Sequence, residues 1–154
     1  MVLAAASDAL TMKIPNKISI ALVAAFVVAA PVAGLSWQSI GLHVVSGVAV
    51  LIVGFALFTR GLLGGGDAKL LAAGALWIGS QNLLDFLFAV TLVGAGLCFA
   101  VLVYRRCIPD GLVTGPGWLV RLHGRQSGVP YGLAIAGGAL LTYPKTPIFM
   151  ALSL

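Results

Sequence analysis

The sequence predicts an all-α membrane protein, a polytopic helical bundle of about six transmembrane helices. Three observations carry that prediction. The 154 residues are 60% hydrophobic and only 8% charged, against roughly 25% charged in a soluble domain. Mean hydropathy is +1.10, so the chain has more apolar surface than one globular core buries. The apolar residues also fall into stretches near the ~20 residues needed to span a bilayer.

Residues 18–35 (ISIALVAAFVVAAPVAGL) form one stretch, with Pro31 near its far end. Residues 40–58 form a second, residues 68–82 a third that is short, and residues 83–104 a long fourth. Residues 129–143 (VPYGLAIAGGALLTY) make a last, glycine-rich span. No internal repeat or low-complexity linker divides them, so 1–154 is expected to be a single integral-membrane domain. Residues 1–12 are the sixth candidate, a truncated first helix. Only seven residues precede Asp8, and at ~1.5 Å each they reach roughly 10 Å, about a third of the hydrocarbon core.

Lys13, Lys17, Arg60, Lys69, Arg105, Arg106, Arg121 and Arg125 fall on one side when the spans alternate, with only Lys145 opposite. The positive-inside rule makes that side cytoplasmic, together with the loops around Pro15, Gly64 and Pro109. The net charge of +5 forms no basic stripe interleaved with aromatics, so no nucleic acid partner is expected. Cys98 and Cys107 stand alone, without CxxC spacing or a His/Cys cluster, so neither a metal site nor a disulfide framework is indicated. No cofactor motif is present either.

The chain has four acidic residues, and an acid within a membrane span is a functional candidate by default. Asp110, in CIPDGL, reads as a turn residue. Asp85 reads as an interfacial residue or a favourable charge at a helix N-terminus. Asp8 and Asp67 differ from these: both fall at the cytoplasmic ends of helices, on one membrane face. Ile14-Pro15-Asn16 breaks the first helix, and Asn16 is positioned to cap the next. Asp67 follows Gly64-Gly65-Gly66, which permit tight turns and close backbone approach. Asp67 fits two compatible readings, the N-cap of a helix beginning AKLLAAGAL and a catalytic carboxylate. Two carboxylates at one water share a proton, so one takes a proton from water while the other polarises a carbonyl. Lys69 reads as an interfacial lysine or as a charge biasing this pair. His43 reads as a hydrogen-bonded polar residue within the membrane.

These residues resemble a known family. SDALTMKIPNKI (7–18) and GFALFTRGLLGGGDAKLLAAGALWIG (54–79) are similar to the type IV prepilin peptidases, membrane aspartic peptidases of the GxGD kind. The resemblance assigns the catalytic pair to Asp8, ahead of Ile14, Pro15 and Asn16, and to Asp67, behind Gly64 and Gly66 and followed by Lys69. The tail GVPYGLAIAGGALLTYP looks like the small branch serving Flp (Tad) pili in bacteria. It implies a multi-pass enzyme of the bacterial inner membrane that removes the leader of prepilins at the cytoplasmic side. The implied partners are prepilins, pilin-like precursors and membrane lipids. Larger members carry a cytoplasmic insert with paired CxxC zinc sites and N-methylate the product, and without those residues no methyl transfer is expected. Two other classes fit the composition: a small transporter or channel subunit using Asp67 and Asp85, and a non-catalytic subunit of a pilus or secretion assembly.

Overall fold

The structure, a computed structural model, describes residues 1–108, 117–124 and 128–152. Among them the regular elements are all helical. The main helices are α1 (Val2–Thr11), α2 (Asn16–Val32), α3 (Trp37–Thr59), α4 (Gly65–Ile78), α5 (Leu83–Cys107), α6 (Gly117–His123), α7 (Tyr131–Thr142) and α8 (Pro147–Leu152). Short 3-10 turns at Ser80–Asn82 and Tyr143–Lys145 lead into α5 and out of α7. Asp110, Pro109 and Arg125 lie outside the described residues, as does the side chain of Arg121.

Two described helical segments, Trp37–Thr59 and Ser80–Cys107, are long and apolar enough to cross a membrane. Both expose most of their apolar side chains: Val45, Ile52 and Phe55 on α3, and Phe88, Leu92 and Phe99 on α5. The core helix of a soluble protein buries such residues, so these outward faces belong in lipid. The remaining apolar helices run 10 residues in α1, 17 in α2, 14 in α4 and 12 in α7.

Helix α4 is the centre of the bundle. Ala68, Leu70, Ala72, Ala73, Ala75, Leu76 and Ile78 are all buried on it, and its broadest contacts are with α3, then α2 and α7. A helix apolar on every side is stable only when surrounded. Helix α7 completes the enclosure by packing on α5 and α1. The α5–α7 contact is very close: a Cβ on Gly138 would lie 2.5 Å from Val90 Cγ2 and 2.8 Å from the Val90 backbone nitrogen. Small residues at such crossings let helices gain dispersion contacts that lipid cannot match.

Several expectations are refined. The third stretch begins earlier than position 68, because Gly65 and Gly66 are already helical. It stops at Gly79, whose φ of 76° suits only glycine well. Helices α6 and α8 carry too few residues to show a period in the sequence, yet Ile148 of α8 is fully buried against Phe26, Ala30 and Leu76. His43 is buried, with Nδ1 2.8 Å from the Leu76 carbonyl oxygen at the end of α4.

Candidate active site

Helix α1 ends in a turn that its own hydroxyls build. Met12 takes a left-handed conformation, φ 54°. The Ser7 hydroxyl donates to the Lys13 carbonyl at 2.9 Å, and the Thr11 hydroxyl donates to the Ser7 carbonyl at 2.7 Å with the Lys13 carbonyl 3.2 Å away. The chain thereby reverses and delivers Ile14 between α4 and α7. A Cβ on Gly66 would lie 3.1 Å from Ile14 Cβ, and one on Gly132 would lie 3.1 Å from Ile14 Cδ1. The isoleucine is therefore a wedge whose seat is two glycines, one of them in the Gly-x-Gly-Asp stretch.

Asn16 does not cap α2, contrary to expectation. Extended Pro15 (φ −61°, ψ 134°) is the N-cap, because a proline ring already holds that φ. Asn16 is the first helical residue, and its Oδ1 accepts a hydrogen bond from Lys69 Nζ at 2.9 Å. Lys69 thus ties α4 to the start of α2 and does not line the cavity holding the carboxylates. Residues two apart on a helix do not share a face, which separates Lys69 from Asp67.

The cap of α4 is also shifted. Gly64 is the N-cap, and Asp67 is the third helical residue. Its carboxylate reaches back to the Gly64 backbone N–H, as the third-position acid of a capping box does. A Cβ on Gly64 would stand 2.6 Å from Asp67 Oδ2, so only glycine leaves the carboxylate its place.

Asp8 is buried on α1. Its Oδ2 accepts a hydrogen bond from the Gly132 backbone N–H at 2.7 Å, across 124 residues of chain. Gly132 is in the first turn of α7, where backbone N–H groups have no partner within the helix. A carboxylate there is also favoured by the helix dipole. Neither Gly132 nor its neighbour Tyr131 was identified from the sequence. The stretch VPYG at the start of the last span was the available signal, but nothing local connects it with Asp8.

Asp8 and Asp67 line one cavity of about 1060 Å³ and lie within electrostatic reach of each other. Gly64, Met12 and Tyr131 line the same cavity, together with Val50 and Val53 of α3 and Leu87 and Val90 of α5. Oδ2 of Asp8 is the oxygen held by Gly132, and among the described residues no hydrogen bond of that kind holds the other. Such a pair can hold a water between them, one carboxylate as base and one as acid. Asp85 is elsewhere. It pairs with Lys145 at 3.5 Å on an exposed edge, so the structure does not join it to Asp67. Among the described residues, no group of three or more His, Cys, Asp or Glu could hold a metal ion.

The chain matches the family model for the type IV leader peptidase family over residues 1–99. It is also 31% identical over 144 residues to a prepilin leader peptidase/N-methyltransferase of Bacillus subtilis (strain 168). That alignment covers 93% of this chain and 51% of the relative, so the chain spans about half the length of the curated protein it matches. No solved structure matches significantly. A match across 99 residues, containing both carboxylates that share the cavity, places the chain in the type IV leader peptidase family.

Proposed function

We propose that this protein is a membrane-embedded aspartic endopeptidase that removes the leader of type IV, Flp-type prepilins at the cytoplasmic face of the bacterial inner membrane. The observation that carries the reading is the convergence of Asp8 and Asp67, from two helices far apart in sequence, on one cavity. One carboxylate takes a proton from water as the water oxygen bonds to the scissile carbonyl carbon. The other gives its proton to the carbonyl oxygen, producing a tetrahedral diol. The C–N bond then breaks as the nitrogen takes the proton held by the first carboxylate. The carbonyl re-forms and returns a proton to the second. Water is consumed, and both carboxylates end as they began.

Family membership and the name of the Bacillus subtilis relative support a prepilin as substrate. The tail beginning Gly128-Val129-Pro130-Tyr131 supports the Flp branch. The apolar cavity walls on α3 and α5 suit the hydrophobic helix that follows a pilin leader. Eight of the nine basic residues fall on the side of Asp8 and Asp67 when the spans alternate, which supports a cytoplasmic, multi-pass placement.

The test is processing of a Flp-type prepilin by the full chain, by Asp8→Asn and by Asp67→Asn, each in membranes at matched abundance. Either substitution is expected to abolish cleavage, and the double variant to lose no more than each single one, because groups acting as a unit fail together. Cleavage by the Asp67→Asn form, or an inactive but folded full chain, overturns the reading.

A further inference from the structure

The cavity holds one polar side chain that the dyad chemistry leaves unused. Four of its lining residues carry polar side chains: Asp8, Asp67, Thr91 and Tyr131. The Thr91 hydroxyl is committed, donating to the Leu87 carbonyl at 2.8 Å. The Tyr131 hydroxyl makes no hydrogen bond to another described residue. Nor is it sealed off, since the one inaccessible and unpartnered polar side-chain atom among the described residues is Ser19 Oγ. A phenol in an apolar environment normally finds a hydrogen-bond partner, and leaving a donor unpaired is costly. The residue that carries this donor lines the cavity that a substrate must enter.

Its position is also built. Tyr131 is the first residue of α7, next to the Gly132 whose N–H holds Asp8. The hydroxyl end of the ring rests on Gly94 of α5, where a Cβ would come within 2.8 Å of the hydroxyl oxygen and 2.9 Å of Cζ. One helix N-terminus therefore places Asp8 and Tyr131 together, and a missing side chain on α5 admits the phenol. Tyr131 also lies within electrostatic reach of Cys98 on α5 and of Asp67.

Building on the peptidase reading, we propose that Tyr131 is a third catalytic residue, whose hydroxyl donates a hydrogen bond to the scissile carbonyl oxygen as negative charge develops there. The O–H bond stays intact throughout, so the proton transfers between the carboxylates and water are unchanged. A phenol hydroxyl is protonated, and therefore a donor, at neutral pH. The hydrogen bond strengthens as the carbonyl becomes a tetrahedral oxyanion, so it acts on turnover more than on binding. Loss of one such donor typically costs about 100-fold or more in kcat.

The experiment compares kcat and KM for a Flp-type prepilin with the purified full chain, Tyr131→Phe, Gly94→Ala, their double variant and Asp67→Asn. Gly96→Ala is the control, because a Cβ there meets nothing within 4 Å. Tyr131→Phe is expected to lower kcat by about 100-fold with KM within about twofold of the parent. Gly94→Ala displaces the ring and is expected to lower kcat in the same direction, while adding little in the Tyr131→Phe background. An unchanged kcat in a folded Tyr131→Phe protein overturns the proposal, as does a rise in KM alone. If Tyr131→Phe fails to fold, Gly94→Ala decides alone, and parental kcat in that variant is equally fatal. If the parent cleaves, Asp67→Asn does not, and Tyr131→Phe matches the parent, only the tyrosine's role falls. An inactive, folded parent removes both readings.

Discussion

Replacing Gly132 with alanine tests whether the N-terminus of α7 sets the position of Asp8. The added Cβ would lie 2.9 Å from Asp8 Oδ2, 3.0 Å from Asp8 Cβ and 3.1 Å from Ile14 Cδ1. Normal carbon contacts are about 3.5–4.0 Å, so α7 must withdraw by several tenths of an ångström or Asp8 must turn away. Two of these atoms, Asp8 Oδ2 and Ile14 Cδ1, are side-chain ends, but the third, Asp8 Cβ, moves only with the backbone of α1. Overpacking of this kind costs about 1–3 kcal/mol. Stretching the 2.7 Å bond from Gly132 forfeits part of the ~1.5–3 kcal/mol that a hydrogen bond to a charged group contributes. The chemistry is more sensitive than the fold, since a displacement approaching 1 Å at a catalytic group costs about 100-fold in rate. Gly132→Ala should therefore remain inserted, melt a few degrees lower, and cleave prepilin roughly 100-fold more slowly. The assay is cleavage in detergent followed by gel shift, with thermal unfolding measured on the same preparation. Parental cleavage and parental melting in Gly132→Ala would refute the placement of Asp8 against α7.

Three further outcomes are expected. Gly138→Ala puts a Cβ 2.8 Å from the Val90 backbone nitrogen, and should destabilise by about 1–3 kcal/mol in thermal unfolding. Asp85→Asn removes an ion pair whose partners are both about 60% exposed; it should change stability by less than about 1 kcal/mol and leave prepilin processing intact. Reporter fusions after Arg60 should report the cytoplasm and fusions near Gln81 the opposite side. The same compartment from both would undo the alternating topology.

Fold class and membrane residence were legible in composition and in the length of apolar runs, because lipid forces backbone polar groups into internally bonded helices. The two candidate carboxylates stood out for a related reason. Acids are so costly near lipid that each of the four in this chain is conspicuous, and two of them stand near Ile-Pro-Asn and behind Gly-Gly-Gly. The roles of their neighbours were not legible. Asn16 and Lys69 each fitted several local readings, and the bond between them exists only because α2 and α4 pack side by side. Asp67 suited an N-cap by local pattern, but the helix starts at Gly65, and an added Cβ at 65 or 66 would lie 3.3 Å from Phe58 of α3 or 3.1 Å from Ile14. Gly132 and Tyr131 were invisible in the same sense. Their significance lies in a 2.7 Å contact spanning 124 residues and in a ring seated on Gly94. Local sequence encodes helix formation and burial, whereas the meeting of Asp8, Asp67 and the start of α7 depends on which helices share faces. That choice is made by small residues at the crossings, through dispersion and close backbone approach, and only the assembled bundle reveals it.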